Sequence, residues 1–342
     1  MPLEEPSWWY AADADDPRVK ALKPASRIYA WAGARRLQNA KPYRSPLPVI
    51  CIGNFTAGGT GKTPLSLLIA RLLQARGHSP AFLTRGYSGR QSGPVWVNPS
   101  IDTAREVGDE PLLLAEAAPT MVARDRPAGA RAIEAGKTAT HIIMDDGLQN
   151  PTLAKSLAIA VVDGVRGLGN GEVIPAGPLR APLDVQFDLT DAIVVNGGGS
   201  NAPILLDLRS TFPGPVLSAA VEPDLDGGSF AGARVVAYAG IGNPSRFTAS
   251  LKAAGAEVVA ERFFKDHHAY REDDARELVR LAASAGARLM TTQKDLVRLK
   301  GTSGALADLA QRSEPLRIVL AFDVRDIARL EELIDPATIA EG

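Results

Sequence analysis

Residues 47–76 read LPVICIGNFTAGGTGKTPLSLLIARLLQAR, and the fold turns on them. Val49, Ile50, Cys51 and Ile52 form an apolar run suited to a strand buried on both faces of a sheet. From Lys62 onward, Leu65, Leu68, Ile69, Leu72 and Leu73 recur at helical spacing. A glycine-rich turn joins strand to helix. Gly58, Gly59 and Gly61 allow backbone conformations closed to residues with a Cβ, so successive N–H groups can curl around an anion. The start of the helix adds its unpaired N–H groups and its dipole. In such a loop Lys62 reaches the β- and γ-phosphates of a nucleotide, and the Thr63 hydroxyl can ligate Mg²⁺. Thr56, Ala57, Gly58, Gly59, Thr60, Gly61, Lys62 and Thr63 are therefore the expected nucleotide-binding residues.

The chain has 342 residues, enough for two α/β domains of ordinary size. A single cysteine, Cys51, excludes an internal disulfide and fits a reducing compartment. No apolar run reaches the ~18 residues of a membrane span. The N-terminus is acidic and lacks an apolar core segment, so no secretory signal is expected. Net charge is only −1, but it is unevenly spread. Residues 17–101 hold thirteen Lys or Arg and no Asp or Glu, while the first sixteen residues hold five acids. A basic N-terminal third suits polyanionic partners such as nucleotide phosphates, a phosphorylated substrate or an anionic lipid surface. A solvated charged face accounts for part of the excess.

Before the loop, residues 26–38 have helical character, with Ile28, Trp31, Ala32 and Leu37 on one side and Arg27, Arg35, Arg36, Lys41 and Arg44 around them. Aromatic and basic residues together suit a bilayer interface. A helix packed on the domain with a basic outer face explains them equally well. After the loop, strands are expected at 81–84, 120–123, 157–163, 192–196 and 216–222. Arg85 follows the first of these, at the strand end where open α/β sheets place their sites; it is equally readable as a surface arginine. Asp109 and Glu110 precede Pro111, which fits a first helical position. Capping explains one acid but not two, which makes Asp109 a site candidate.

Residues 140–149, THIIMDDGLQ, are an apolar strand ending in two aspartates. Beside a phosphate loop, such a strand delivers a carboxylate to Mg²⁺, so Asp145 and Asp146 are expected near the metal with Thr63. The Gly- and Pro-rich stretch 167–180 ends in Arg180, a second cation for phosphate. From Arg234 a second α/β pattern begins, with strands at 235–239, 257–263, 288–292 and 315–322. Its Lys265-Asp-His-His segment lies at a strand end. A polar turn, a metal pair and a catalytic histidine all remain open by spacing alone, although two adjacent histidines without further ligands make a poor zinc site.

Taken together, several motifs in order resemble those of the tetraacyldisaccharide 4′-kinase family. They are Gly53-Asn54 with TAGGTGKTP, Thr84-Arg-Gly-Tyr, Gly108-Asp-Glu-Pro, Asp145-Asp-Gly-Leu-Gln, Pro-Ala-Gly-Pro-Leu-Arg180, Ala-Gly-Ile-Gly-Asn-Pro244, Asp266-His-His and Thr291-Thr-Gln-Lys-Asp. The resemblance implies a P-loop NTPase-like three-layer α/β/α domain (47–225), a smaller α/β domain (226–342), an amphipathic membrane-docking segment (1–46) and an active site between the domains. It implies transfer of the γ-phosphate of ATP, with Mg²⁺, to the 4′-hydroxyl of a tetraacylated disaccharide 1-phosphate in lipid A biosynthesis. It further implies an enzyme peripheral at the cytoplasmic face of the inner membrane; a monomer with no nucleic-acid partner is expected. Asp109 and His267 would form a catalytic dyad on the attacking hydroxyl. One departure is Ala181, where the family usually has Glu after Pro-Leu-Arg.

Two other readings compete. A regulatory ATPase of the MinD/ParA type would have Lys where this chain has Ala57, and a strict phosphate loop would have Gly where it has Thr56. A kinase for a soluble small molecule would be favoured by an acidic or weakly apolar N-terminal helix, which this one is not.

Overall fold

The structure, a computed structural model, describes residues 5–11, 16–224 and 230–335. In chain order the strands are β1 (Val49–Gly53), β2 (Pro80–Thr84), β3 (Val95–Trp96), β4 (Thr120–Val122), β5 (His141–Asp145), β6 (Leu157–Asp163), β7 (Ala192–Asn196), β8 (Val216–Pro223), β9 (Arg234–Ala239), β10 (Glu257–Phe263), β11 (Arg288–Thr292), β12 (Ser313–Leu316) and β13 (Ile318–Phe322). The chain divides into two units. The first comprises residues 1–85, 123–221 and 320–342, and the second residues 86–122 and 222–319.

In the first unit the strands run β13-β8-β7-β6-β1-β5-β2. β1 pairs in parallel with both β5 and β6, and β2–β5, β6–β7 and β7–β8 are parallel as well. Every residue of β1, β2, β5, β6 and β7 is buried, as continuous apolar strands require when helices cover both faces. The strand order reverses direction at β1. In open α/β sheets such a switch point is where ligands bind, outside the carboxyl ends of the strands.

The second unit has a four-stranded parallel sheet, β10-β9-β11-β12. β9 shows why it is covered on both sides: Val235, Ala237 and Ala239 enter one apolar cluster, and Val236 and Tyr238 enter the other. This unit also holds the antiparallel pair β3–β4 and the short helices Ala104–Val107 and Asp109–Ala115. Val107, Leu112, Leu113 and Val122 pack with Val297 of the helix Gln293–Arg298.

Several expectations need correction. The N-terminal helix runs Pro17–Gln38, longer than 26–38, with Pro24 inside it. The last expected strand, 315–322, is two strands: β12 in the small sheet and β13 in the large one. Pro111 is the third residue of its helix, not the first; Gly108 is the N-cap and Asp109 opens the helix. Relative to the sequence division at 47–225 and 226–342, residues 86–122 and 320–342 change sides. The boundary expected at 225/226 lies outside the described residues.

Candidate active site

The candidate residues form two groups, one in each unit. In the first unit the phosphate loop runs from the end of β1 into the helix Lys62–Ala75. Gly61 caps that helix at φ 99°, and a Cβ there would overlap the Asn196 amide, so both conformation and space demand glycine. Asn196, at the end of β7, donates to Thr60 O at 2.9 Å. Asn54 donates to Gly58 O at 3.1 Å, and Gln149 donates to Asn54 O at 2.8 Å. The loop is also paired to the Pro-Ala-Gly segment. Thr56 bridges Leu179 antiparallel, Ala57 N–H donates to Pro178 O, and Arg180 N–H donates to Phe55 O. Thr56 thus sits in extended backbone, which suits a β-branched residue better than glycine.

Lys62 and Thr63 open the helix. Asp145 and Asp146 follow at the end of β5, the strand beside β1. Asp145 is buried and accepts a hydrogen bond from the Ser66 hydroxyl at 3.0 Å. Asp146 takes a left-handed conformation at φ 52° and meets Lys62 at 3.6 Å and Arg180 at 3.0 Å. Burial alone would raise its pKa, but the two cations hold it down to about 2. Arg180, expected near phosphate, is engaged with Asp146 and with Thr56 O at 3.0 Å. Arg85 is exposed just past β2.

These residues fit Mg·ATP. Gly58 takes φ 95°, a conformation that glycine adopts freely and that lets loop N–H groups turn toward an anion. The Thr60 hydroxyl and Asn54 Oδ1 are buried without a hydrogen-bond partner. Among the described residues no three or more Cys, His or acidic side chains converge into a closed metal cage. Mg²⁺ usually keeps water and phosphate ligands and takes only one or two carboxylates, which Asp145 and Asp146 at the end of β5 can supply.

The second group surrounds Asp109, which is 4% exposed. Its Oδ2 accepts from Arg298 Nη2 at 2.5 Å and Nε at 2.9 Å, and lies 3.3 Å from His267 Nδ1. Burial opposes ionisation, but His267, Lys294 and Arg298 hold the carboxyl well below the usual carboxylate range. Gly108 turns the chain at φ 97°, where a Cβ would come 2.5 Å from Tyr87 O. His267 itself has φ 57°, a conformation rare outside glycine and frequent at functional sites. Its side chain is 20% exposed, and the Tyr87 ring lies 5.6 Å from the imidazole. His268 is differently employed: it bonds Asp274 at 2.9 Å and stacks on Phe264. The structure therefore brings Asp109 together with His267 and not with His268.

Sequence reasoning missed Ser66, Asp295 and Arg298. Thr291-Thr-Gln-Lys-Asp enters the sequence reading only as one motif among several, whereas Asp295 is fully buried in the first turn of a helix. The acid–base spacing Asp295-Leu-Val-Arg298 was the available signal, since residues three apart on a helix face each other.

Fold and site together define a P-loop kinase, an ATP-dependent phosphotransferase that uses Mg²⁺. The sequence profile of "Tetraacyldisaccharide-1-P 4'-kinase" matches residues 19–336, so the chain belongs to the tetraacyldisaccharide 4′-kinase family of lipid A biosynthesis. It is 49% identical to the tetraacyldisaccharide 4′-kinase of Methylorubrum extorquens (strain PA1) over 94% of this chain and 95% of that one. It is 52% identical to the Methylobacterium nodulans protein of the same name over 87% and 88% of the two chains. Among solved structures, LpxK from Aquifex aeolicus, described as an "apo" form in complex with ATP, matches with a TM-score of 0.68 at 23% identity. The match covers 92% of this chain and 98% of that one, and shows a shared fold.

Proposed function

We propose that this chain moves the γ-phosphate of ATP to the 4′-hydroxyl of tetraacyldisaccharide 1-phosphate, with Asp109 and His267 as the catalytic dyad. The carrying observation is the Asp109–His267 contact: a buried carboxylate set against an imidazole that is partly exposed. In this reading His267 accepts the hydroxyl proton, and Asp109 orients the ring and balances its charge. The loop amides and Lys62 hold the donor phosphates, and Thr63, Asp145 and Asp146 are the residues that would hold Mg²⁺. The metal, when bound, neutralises charge on the phosphoryl oxygens. Phosphoryl transfer passes through a loose transition state, so positioning and charge balance dominate. Base catalysis of this kind contributes ~10²–10⁴ in rate.

The acceptor is a lipid, so the enzyme works at a surface. Ile28, Tyr29 and Trp31 of the N-terminal helix are exposed, and Arg35 lies over the Trp31 ring. No described helix is long and apolar enough to cross a membrane. The exposed aromatic and basic side chains support peripheral docking on an anionic lipid surface; a monomer at the cytoplasmic face of the inner membrane is the remainder of the proposal.

The test is ³²P transfer from ATP to purified disaccharide 1-phosphate. Asp109→Ala and His267→Ala should each lower kcat by ~10² or more while the KM for ATP changes little. Near-full kcat in both variants would remove the dyad.

A further inference from the structure

Two buried ionic groups lie beneath the dyad, and the reading above gives them no role. Asp295 is fully buried, and Arg298 is nearly so. Burying charges is costly unless geometry and hydrogen bonding are complete. Here they are complete. Asp295 Oδ1 accepts from Gly240 N–H at 3.0 Å, Tyr270 OH at 2.9 Å and Arg298 Nη1 at 2.8 Å. Its Oδ2 accepts from the Thr292 hydroxyl at 2.6 Å. The Thr292 hydroxyl in turn accepts from Asp295 N–H at 3.1 Å, which caps the helix. The Thr292 hydroxyl does the capping, so the three donors on Asp295 Oδ1 are more than the helix start requires.

The guanidinium spends its donors on the site. Nε and Nη2 grip Asp109 Oδ2, Nη1 donates to Gly240 O at 2.7 Å, and Nη2 lies 3.3 Å from His267 Nδ1. The His267 backbone N–H also donates to Gly240 O, at 3.1 Å. One arginine therefore touches the carboxylate of the dyad, its imidazole and the carbonyl that anchors the histidine backbone.

We propose that Arg298, seated by Asp295, is a positioning residue that fixes Asp109 against His267 and keeps the carboxylate ionised behind the ring. This rests on the dyad reading above. A lysine carries the charge but not the planar fork, and cannot hold Asp109, Asp295 and Gly240 together. Removing the guanidinium would leave Asp109 with only His267 and the more distant charge of Lys294, and Asp295 with only its neutral donors, so Asp109 would lose the two bonds that fix it against the ring.

The experiment uses the full-length enzyme and the same ³²P assay. Arg298→Ala should lower kcat ~10²-fold with the KM for ATP within about twofold. In a His267→Ala background the same change should cost less than about threefold, because the two residues act as one unit. Millimolar guanidinium should restore part of kcat to Arg298→Ala and none to His267→Ala. Equal losses in both backgrounds would overturn the proposal. Should Arg298→Ala fail to fold, Arg298→Lys decides: a folded lysine variant with wild-type kcat overturns it, and a loss of about tenfold or more supports it. A wild type and His267→Ala that differ as expected, beside Arg298 variants that do not, would sink this inference alone. A wild type without transfer to the disaccharide would sink the function. The ¹⁵N shift of His267 Nδ1 needs no turnover and should move in Arg298→Lys; an unmoved shift counts against the proposal.

Discussion

At the scale of single residues, the histidines show how much position decides. His141 opens β5 and is buried; its Nδ1 meets the Thr140 hydroxyl at 2.9 Å, while Nε2 has no partner. Burial first, and then the neighbouring His78 ring 4.8 Å away, push its pKa down to about 4. The unfolded chain would protonate it near pH 6.5, so between pH 6.5 and 4 the unfolded state holds more protons. Its stabilising effect is whole above pH 6.5 and drains away as pH falls toward 4. Between pH 6.5 and 5 the loss is about 2 kcal/mol. Urea unfolding of His141→Leu across that range should show a flatter pH dependence than wild type; parallel curves would contradict the assignment. The sequence marks His141 only as a mid-strand residue and His267 only as one of an adjacent pair. Asp109 and His267 were legible through resemblance, not spacing, because they lie 158 positions apart in the chain. Arg298 was legible only as the partner of Asp295 at helical spacing; its reach to Asp109 was not, since a basic residue ending a short helix looks like an ordinary dipole partner until its burial is known.

At the scale of elements, the strand, loop and helix of residues 47–76 were readable almost in full. Apolar continuity, three glycines and helical periodicity all point the same way. What holds the loop was not readable, because Asn196, Gln149 and the Pro-Ala-Gly segment come from distant positions. Gly61→Ala should weaken ATP binding by about tenfold or more in calorimetry, since the helix start must move away from Asn196. Unchanged affinity would mean that the loop does not need the left-handed cap. The helix Pro17–Gln38 makes a different prediction. Reversing the charge of Arg35, Arg36 and Lys41 should reduce co-sedimentation with anionic vesicles by ~10²-fold or more, given ~1 kcal/mol for each basic residue near the surface. Equal sedimentation of variant and wild type would assign this helix to packing alone. Asp16 caps a helix that begins about two and a half turns before the expected start at 26 and continues past Pro24, a residue that ordinarily stops or kinks a helix.

At the scale of the molecule, the chain leaves the first unit after Arg85, returns at Ala123, leaves again after Val221 and returns at Leu320. Sequence patterning could find the strands but not this itinerary, because residues 86–122 carry the same α/β signals as their flanks. Only contacts such as Leu112 and Leu113 with Val297 assign them. The single cysteine offers a probe of the first unit. Cys51 is wholly buried in β1, and burial raises its thiol pKa to about 11. Thiol labelling at pH 8 should be slow in the native enzyme and report opening of the central sheet. Mg·ATP at about a hundred times its Kd should slow it further by ~10². Rapid labelling, insensitive to nucleotide, would show that β1 opens independently of the loop.

The seam between Thr56–Ala57 and Pro178–Leu179 has a bearing on how this cradle could change over time. Half of the nucleotide loop is a partner strand in miniature, and its mate lies more than a hundred positions downstream. A glycine at position 56 would loosen the pairing, and a lysine at 57 would place a long cation beside Arg180 and its backbone grip on Thr56. Thr56 and Ala57 and the Pro-Ala-Gly turn are thus mechanically coupled, and a change on one side of the seam is felt by the backbone bonds of the other.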